Sequence, residues 1–309
     1  MRLRKPVHAE RLGARLDTLA ETFDITTISP DPLELVLRFT DPLDQETAGL
    51  IAAAFAYGRA DIIVSNIGAI LEKMTPSPYR YLATFDEREA AKRFAGFAHR
   101  FHKTPELVAF LACIAGAIRE HGSLGALFEA CYDERDADIG PTLARFVEQL
   151  RGAGCQPAVP PPTRRRSRTG QRPAARAASG RPSRALSYLL TSPNDGSACK
   201  RMNLYLRWMI RRTAPDLGLW TFADPGKLVM PLDTHIHRIA TFLGLNDRKS
   251  FDWKSARALT DRLARFDRVD PVRYDFALCR LGILDLCSRK RRKENCDVCL
   301  LRDVCRFPL

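Results

Sequence analysis

Apolar residues recur along most of this chain with the period of a helix. Leu50, Ile51, Ala54 and Phe55 fall on one helical face, as do Met202, Tyr205, Leu206 and Met209. Ile236, Ile239, Ala240 and Leu243 form a third face, with Asp233 or Thr234 placed to cap its start and Gly244 to end it. Leu259, Leu263 and Phe266 mark a further helix, and Phe276, Cys279, Ile283 and Leu286 the last. The apolar run from Leu107 to Ile118 reads as a buried helix, shorter than the ~18 residues a membrane span needs. No train of alternating strand positions and no Gly-x-Gly-x-x-Gly nucleotide loop occurs. The predicted fold class is all-α.

One segment departs from this pattern. From about Gly152 to Pro182 there are few large apolar residues, while Pro157, Pro160, Pro161 and Pro162 precede the run Arg164-Arg165-Arg166-Ser167-Arg168. Such a stretch cannot offset its own ordering entropy, so 152–184 is expected to be a disordered Arg/Pro-rich insertion. It also holds much of the charge. The net charge is +13 over 309 residues, and nine arginines with no acidic residue lie between Arg151 and Leu186. A basic chain suits a polyanion, because cations that neutralise phosphates release counterions. The N-terminus opens on charged residues, and we expect a cytoplasmic, nucleoid-associated protein that does not enter membranes.

The nine cysteines are unevenly distributed. Five are scattered singly, an arrangement that argues against a disulfide framework. The others form Cys287-x8-Cys296-x2-Cys299-x5-Cys305. Four thiolates this close can wrap one tetrahedral metal or the corners of one iron–sulfur cube. A single close pair with two outlying cysteines favours a [4Fe–4S] cluster, with zinc as the alternative. Arg289, Arg291 and Arg292, with Lys290, Lys293, Arg302 and Arg306, decorate the same region and can contact a phosphate backbone or simply solvate the chain end.

Two further stretches carry candidate chemistry. Pro193-Asn194-Asp195-Gly196-Ser197-Ala198-Cys199-Lys200 is a turn leading into a helix, whose first amides can hold a phosphate. Pro231-Leu232-Asp233-Thr234-His235-Ile236-His237-Arg238 places an Asp just before another helix, where a simple N-cap is the plainest role. His235 and His237 have no cluster of metal-ligating residues around them and read as packing or surface residues. Trp220 and Phe222 can stack on an extruded base, and Trp208 reads as core.

Taken together, the turn with Lys200, the Asp233 motif and the terminal cysteines resemble the helix-hairpin-helix-GPD superfamily of DNA glycosylases. The likeness is to endonuclease III and its iron–sulfur relatives, and the motifs occur in that family's order. Gly196 to Asn203 resembles the hairpin, with Lys200 at the position of the catalytic lysine, and Leu232 to Ile236 with Arg238 resembles the Asp-bearing motif. Leu50 to Asp61 resembles the helix leading to the DNA-penetrating loop, which puts Tyr57, Gly58 and Arg59 in that loop. Ala198 stands where a second glycine is usual, and the Lys200–Asp233 spacing is more like that of archaeal 8-oxoguanine glycosylases. The Cys287–Cys296 loop is also longer than in endonuclease III. The chain further resembles a bacterial family of this type that has no assigned function.

The resemblance implies a two-lobed fold. Residues 41–211 would hold a six-helix barrel and the hairpin, and 1–40 with 212–309 a second lobe with the cluster loop 287–305. It implies a monomeric DNA glycosylase and abasic-site lyase acting on a damaged, oxidised base in double-stranded DNA. Lys200 would be the nucleophile and Asp233 would stabilise developing positive charge. Gly196, Ser197, Ala198, Arg59, Arg289, Arg291 and Arg292 would contact DNA, and Tyr57, Trp220 and Phe222 would line the base pocket. The alternatives are a non-catalytic DNA-binding or damage-sensing iron–sulfur protein on the same scaffold, and a zinc-stabilised interaction protein.

Overall fold

The computed structural model describes residues 6–153, 183–290 and 292–307. Helices dominate: α1 Pro6–Thr22, α2 Leu33–Val36, α3 Pro42–Ala54, α4 Ala60–Glu72, α5 Pro78–Ala83, α6 Glu87–Arg93, α7 Thr104–His121, α8 Leu124–Cys131 and α9 Gly140–Ala153. After the gap come α10 Arg184–Leu189, α11 Lys200–Ile210, α12 Thr234–Phe242, α13 Trp253–Leu263, α14 Asp275–Ile283 and α15 Lys293–Asp297. The strand content among the described residues is one antiparallel pair, β1 Ala98–His99 and β2 His102–Lys103. The all-α expectation therefore holds at the level of a mostly helical chain.

Local chemistry sets many of these boundaries. Asp41, Ser77, Asp86, Ser123, Asp233 and Asp252 each accept a backbone N–H in the first turn of the helix they precede, satisfying donors that the helix itself leaves open. Pro42 and Pro78 occupy first-turn positions where no amide hydrogen is needed. The apolar run at 107–118 is buried except at Ala109 and forms the middle of α7, which packs against α5, α8 and α9. No single helix among the described residues is long and apolar enough to cross a membrane.

Helix α3 is buried on nearly every side and packs against α2, α5 and α11. A second set of contacts joins α14 to both α1 and α12. Buried ions tie the two sets together. Arg207 of α11 reaches Asp216 and Asp275, the latter at the start of α14, with all three side chains at most 4% exposed. Arg280 of α14 donates to the carbonyls of Ile28 and Ser29. Of the expected insertion 152–184, Gly152 and Ala153 complete α9 and Arg184 begins α10. Residues 154–182 lie outside the described residues.

Candidate functional site

Lys200 opens α11, and a tight turn precedes it. Ser192 caps a short 3-10 turn over Pro193–Asp195, and Gly196 follows at φ +74°, a conformation glycine adopts without a Cβ penalty. The Ser197 hydroxyl accepts from the Cys199 amide, and Asn203 Nδ2 donates to the Ala198 carbonyl at 3.1 Å. Gly196 is exposed, whereas Ala198 is buried. The segment thus runs from α10 through the 3-10 turn into α11.

The start of α11 is fastened to the end of α3. Lys200 Nζ donates to the Ala56 carbonyl at 3.1 Å, and Arg201 Nη1 donates to the Ala54 carbonyl at 2.8 Å. Carbonyls at a helix C-terminus lack intrahelical donors and carry the negative end of the dipole, so both cations are well matched there. The Arg201 guanidinium also stacks over the rings of Tyr57 and Tyr188, at 5.0 and 4.2 Å.

Asp233 and Lys200 line one cleft of about 810 Å³. It is the N-cap of α12: Oδ1 accepts from the His235 and Ile236 amides, each at 2.8 Å, while Oδ2 lies 3.9 Å from the Cys279 thiol. The N-cap reading of this residue therefore stands, and the same residue also lines the cleft. Asp31, Asp275 and Cys279 share that lining. Burial pushes Asp31 up from the ordinary carboxylate range and Asp275 up to about 6. Burial, reinforced by the Asp233 and Asp275 charges, raises the Cys279 thiol well above its usual value. The floor is tight: a Cβ on Gly282 of α14 would overlap the His235 ring, so glycine lets α12 and α14 approach there. His235 is held below its ordinary value by burial, and His237 stacks on Phe251. Among the described residues, neither histidine sits in a ligand cluster.

Helix α12 also reaches the cysteine region, because Arg238 donates to the Cys287 carbonyl at 2.5 Å. Cys287, Cys296, Cys299 and Cys305 line one cavity of about 320 Å³, walled by Phe242, Leu286 and Phe307 and edged by Lys290, Arg292 and Arg302. Burial pushes the Cys287 thiol up to about 11, with the other three cysteines adding to the effect. Cys299 is raised for the same first reason. As thiolates, four cysteines lining one cavity are donors of the kind a metal ion or an iron–sulfur group takes, and a bound cation would reverse their reluctance to ionise.

The remaining predicted residues are dispersed. Arg59 lines the cleft rim and pairs with Asp61 at 2.7 Å, both exposed. Tyr57 lines the same cleft. Trp220 does not: it is 3% exposed, donates to Glu46 Oε2 at 3.0 Å and stacks on Phe128 at 4.7 Å, which makes it core. Phe222 lines a separate depression with Tyr132 and Arg212. Trp220 and Phe222, expected in the base pocket, do not line the cleft with Lys200: the Trp220 amide donates to the Met209 carbonyl and its indole to Glu46, which seats it in the core. Arg289 and Arg292 are exposed, the latter paired with Asp285, and Arg291 lies outside the described residues.

Two-residue strands leave no alternating pattern in sequence, so nothing local marks the β1–β2 pair beside the cleft. Tyr57, Phe101, His102 and Tyr188 form an aromatic group there, with Phe101 56% exposed next to the hairpin tip. His102 Nε2 donates to the Ala185 carbonyl, so the neutral ring accepts from the Tyr57 hydroxyl at Nδ1, 2.6 Å. His99 likewise donates from Nε2 to the Tyr57 carbonyl and accepts at Nδ1 from Asn66, 2.9 Å. Burial holds both imidazoles below their ordinary 6.5. A base whose folded value is lowered gives stability that is present above the unfolded value and lost as pH falls. Melting temperature is therefore expected to drop on acidification from pH 7 to about pH 5, and to drop less steeply in His102→Gln. Parallel melting-temperature profiles for the two proteins would contradict this account.

Residues 31–284 match a family described as a protein of unknown function, DUF2400. The chain belongs to that family. The DUF2400 match includes Lys200 and Asp233 and ends before Cys287. No curated protein and no solved structure matches the chain.

Proposed function

We propose that this DUF2400 protein is a DNA base-excision glycosylase with abasic-site lyase activity, built on a helix-hairpin-helix glycosylase-like fold. The observation that carries the reading is the meeting of Lys200 and Asp233, each at the start of its own helix, in one cleft. A base must leave the stack before its glycosidic bond is reachable, and a cleft of this size admits one. The neutral Lys200 amine attacks the sugar C1′ as the base leaves with the glycosidic electron pair; the C1′–O4′ bond then opens to give a Schiff base that permits β-elimination. Asp233, fixed by two amide hydrogen bonds, stabilises the positive charge that develops at C1′. The exposed Arg289 and Arg292, the turn before α11 and the open first-turn amides of α11 serve the phosphate backbone of double-stranded DNA.

Cys287, Cys296, Cys299 and Cys305 would hold a [4Fe–4S] cluster, which supplies a rigid anchor for the basic loop rather than a reacting group. The spacing, one close pair with two outlying cysteines, favours it over zinc. Anaerobically purified protein is expected to carry about four irons per chain. Cys299→Ser should lose the iron and bind duplex DNA at least tenfold more weakly. One zinc per chain in place of iron would overturn the assignment.

One observation favours a second reading, a non-catalytic DNA-binding or damage-sensing protein. Both candidate catalytic groups have structural duties, Lys200 on the Ala56 carbonyl and Asp233 as a cap. Borohydride trapping on duplexes with 8-oxoguanine, an oxidised pyrimidine, uracil or an abasic site separates the two. A covalent adduct with one damaged-base duplex supports the glycosylase. Binding without any adduct removes the lysine mechanism.

A further inference from the structure

We infer that Arg238 is a positioning residue that ties Asp233 to the cysteine site, so that α12 and its cap are held in place by what the four cysteines bind. The inference rests on the reading above of Asp233 and of the metal centre, and makes one depend on the other. Helix α12 follows directly from Asp233 and meets the cysteine segment at two places. In its first half, Arg238 Nη2 donates to the Cys287 carbonyl at 2.5 Å and to His235 Nδ1 at 3.4 Å. His235 in turn gives its amide to Asp233 Oδ1 at 2.8 Å. A continuous line of contacts therefore runs from Asp233 through His235 and Arg238 to the backbone of a cysteine.

The far end of α12 is gripped by the same segment. The Arg306 amide, next to Cys305, donates to the Phe242 carbonyl at 2.7 Å, and the Phe307 ring packs on Phe242 at 4.2 Å. Gly244, at φ +71°, follows the helix where a Cβ would overlap the Arg306 guanidinium, so the glycine that stops α12 also seats the cysteine segment. Phe242 and Phe307 both wall the cysteine cavity. Nine helical residues span about 13 Å. A rod that short and continuously hydrogen-bonded moves as one body, so a shift at Arg238 or Phe242 reaches Asp233.

The cysteine segment has little core of its own. Between Cys287 and Cys305, Leu301 and Val304 are the buried residues among those described. The Cys287 amide joins it to the Leu281 carbonyl of α14 at 2.7 Å, and Arg15 of α1 pairs with Asp303 at 3.0 Å in a solvent-exposed bridge that adds little. The order of such a segment comes from the bonds its thiolates make, so binding free energy there is ordering free energy. The coupling is reciprocal: a change that loosens α12 must weaken the hold on the bound metal by the same factor.

The test is amide hydrogen exchange on the full-length protein, loaded with iron and sulfide, or with zinc if zinc is what it retains, and again after a chelator has removed the metal. The His235 and Ile236 amides report directly, because both bond to Asp233 Oδ1. Their exchange is expected to quicken about tenfold or more on metal removal, with α7 unchanged. Arg238→Gln, compared while still loaded, should show a quickening of the same kind and should surrender its metal to the chelator several-fold faster than wild type. Arg238→Lys, which keeps a donor for the Cys287 carbonyl, should recover part of both effects. Exchange at His235 and Ile236 that ignores metal removal, that quickens equally in α7, or that is untouched by Arg238→Gln overturns the inference and leaves the lyase reading intact. A protein that takes up neither iron nor zinc overturns the inference together with the metal centre. Exchange that responds as expected in a protein that binds duplex DNA without a borohydride adduct keeps the coupling and removes the lyase reading.

Discussion

Lys200→Ala is expected to abolish the borohydride adduct with abasic and damaged-base duplexes, a loss of at least a hundredfold against wild type. A nucleophile cannot be replaced by water in this assay, since only an amine yields a reducible imine. Lys200→Arg should fail equally, because guanidinium stays protonated at any working pH. The fold should tolerate the change. Lys200 is half-buried and contributes one hydrogen bond to the Ala56 carbonyl, so its removal costs about 1 kcal/mol. Duplex binding should persist, because the turn before α11 and the exposed cations are untouched. The decisive comparison is adduct yield at matched binding saturation. An adduct of wild-type intensity in Lys200→Ala would move the chemistry to another amine.

Arg207→Met should produce the largest loss of stability, about 3–5 kcal/mol, by stranding buried carboxylates without their counter-charge. Arg207 is 3% exposed and meets Asp216 and Asp275, themselves 0 and 4% exposed. Asp275 already sits at about 6 with the guanidinium beside it, since burial dominates. Without Arg207 it rises further. An acid whose folded value is raised favours the protonated native state, so stability is greatest at low pH and falls as pH rises through that value. The deficit of Arg207→Met should therefore be smaller at about pH 5 than at pH 8, and Arg207→Met with Asp275→Asn should recover part of it at pH 8. Urea unfolding midpoints at the two pH values test this. A deficit independent of pH would show that Asp275 is not the stranded charge.

The periodic apolar faces of α3, α11, α12 and α14 were legible because a helix repeats its buried positions at a spacing that needs no knowledge of its neighbours. Asp233 as a cap was legible for the same reason: its two acceptor bonds reach only to His235 and Ile236. The four terminal cysteines were legible from spacing, and they line one cavity. Tertiary structure alone decided the rest of the cleft. Asp31 carries no local mark of a site, and Cys279 reads as one more apolar position on its helix. The chain must bring segments from positions 31, 200, 233 and 279 together before either borders a site. Trp220 carries no local mark that distinguishes a base-stacking face from a core ring. Its partner Glu46, on a helix far upstream, settles that. The sequence by itself determined the helices and their caps, because those energies are local. Packing decided which charges are desolvated, which are paired and which line the cleft with Lys200, because Coulomb interactions and burial depend on distance in space rather than along the chain.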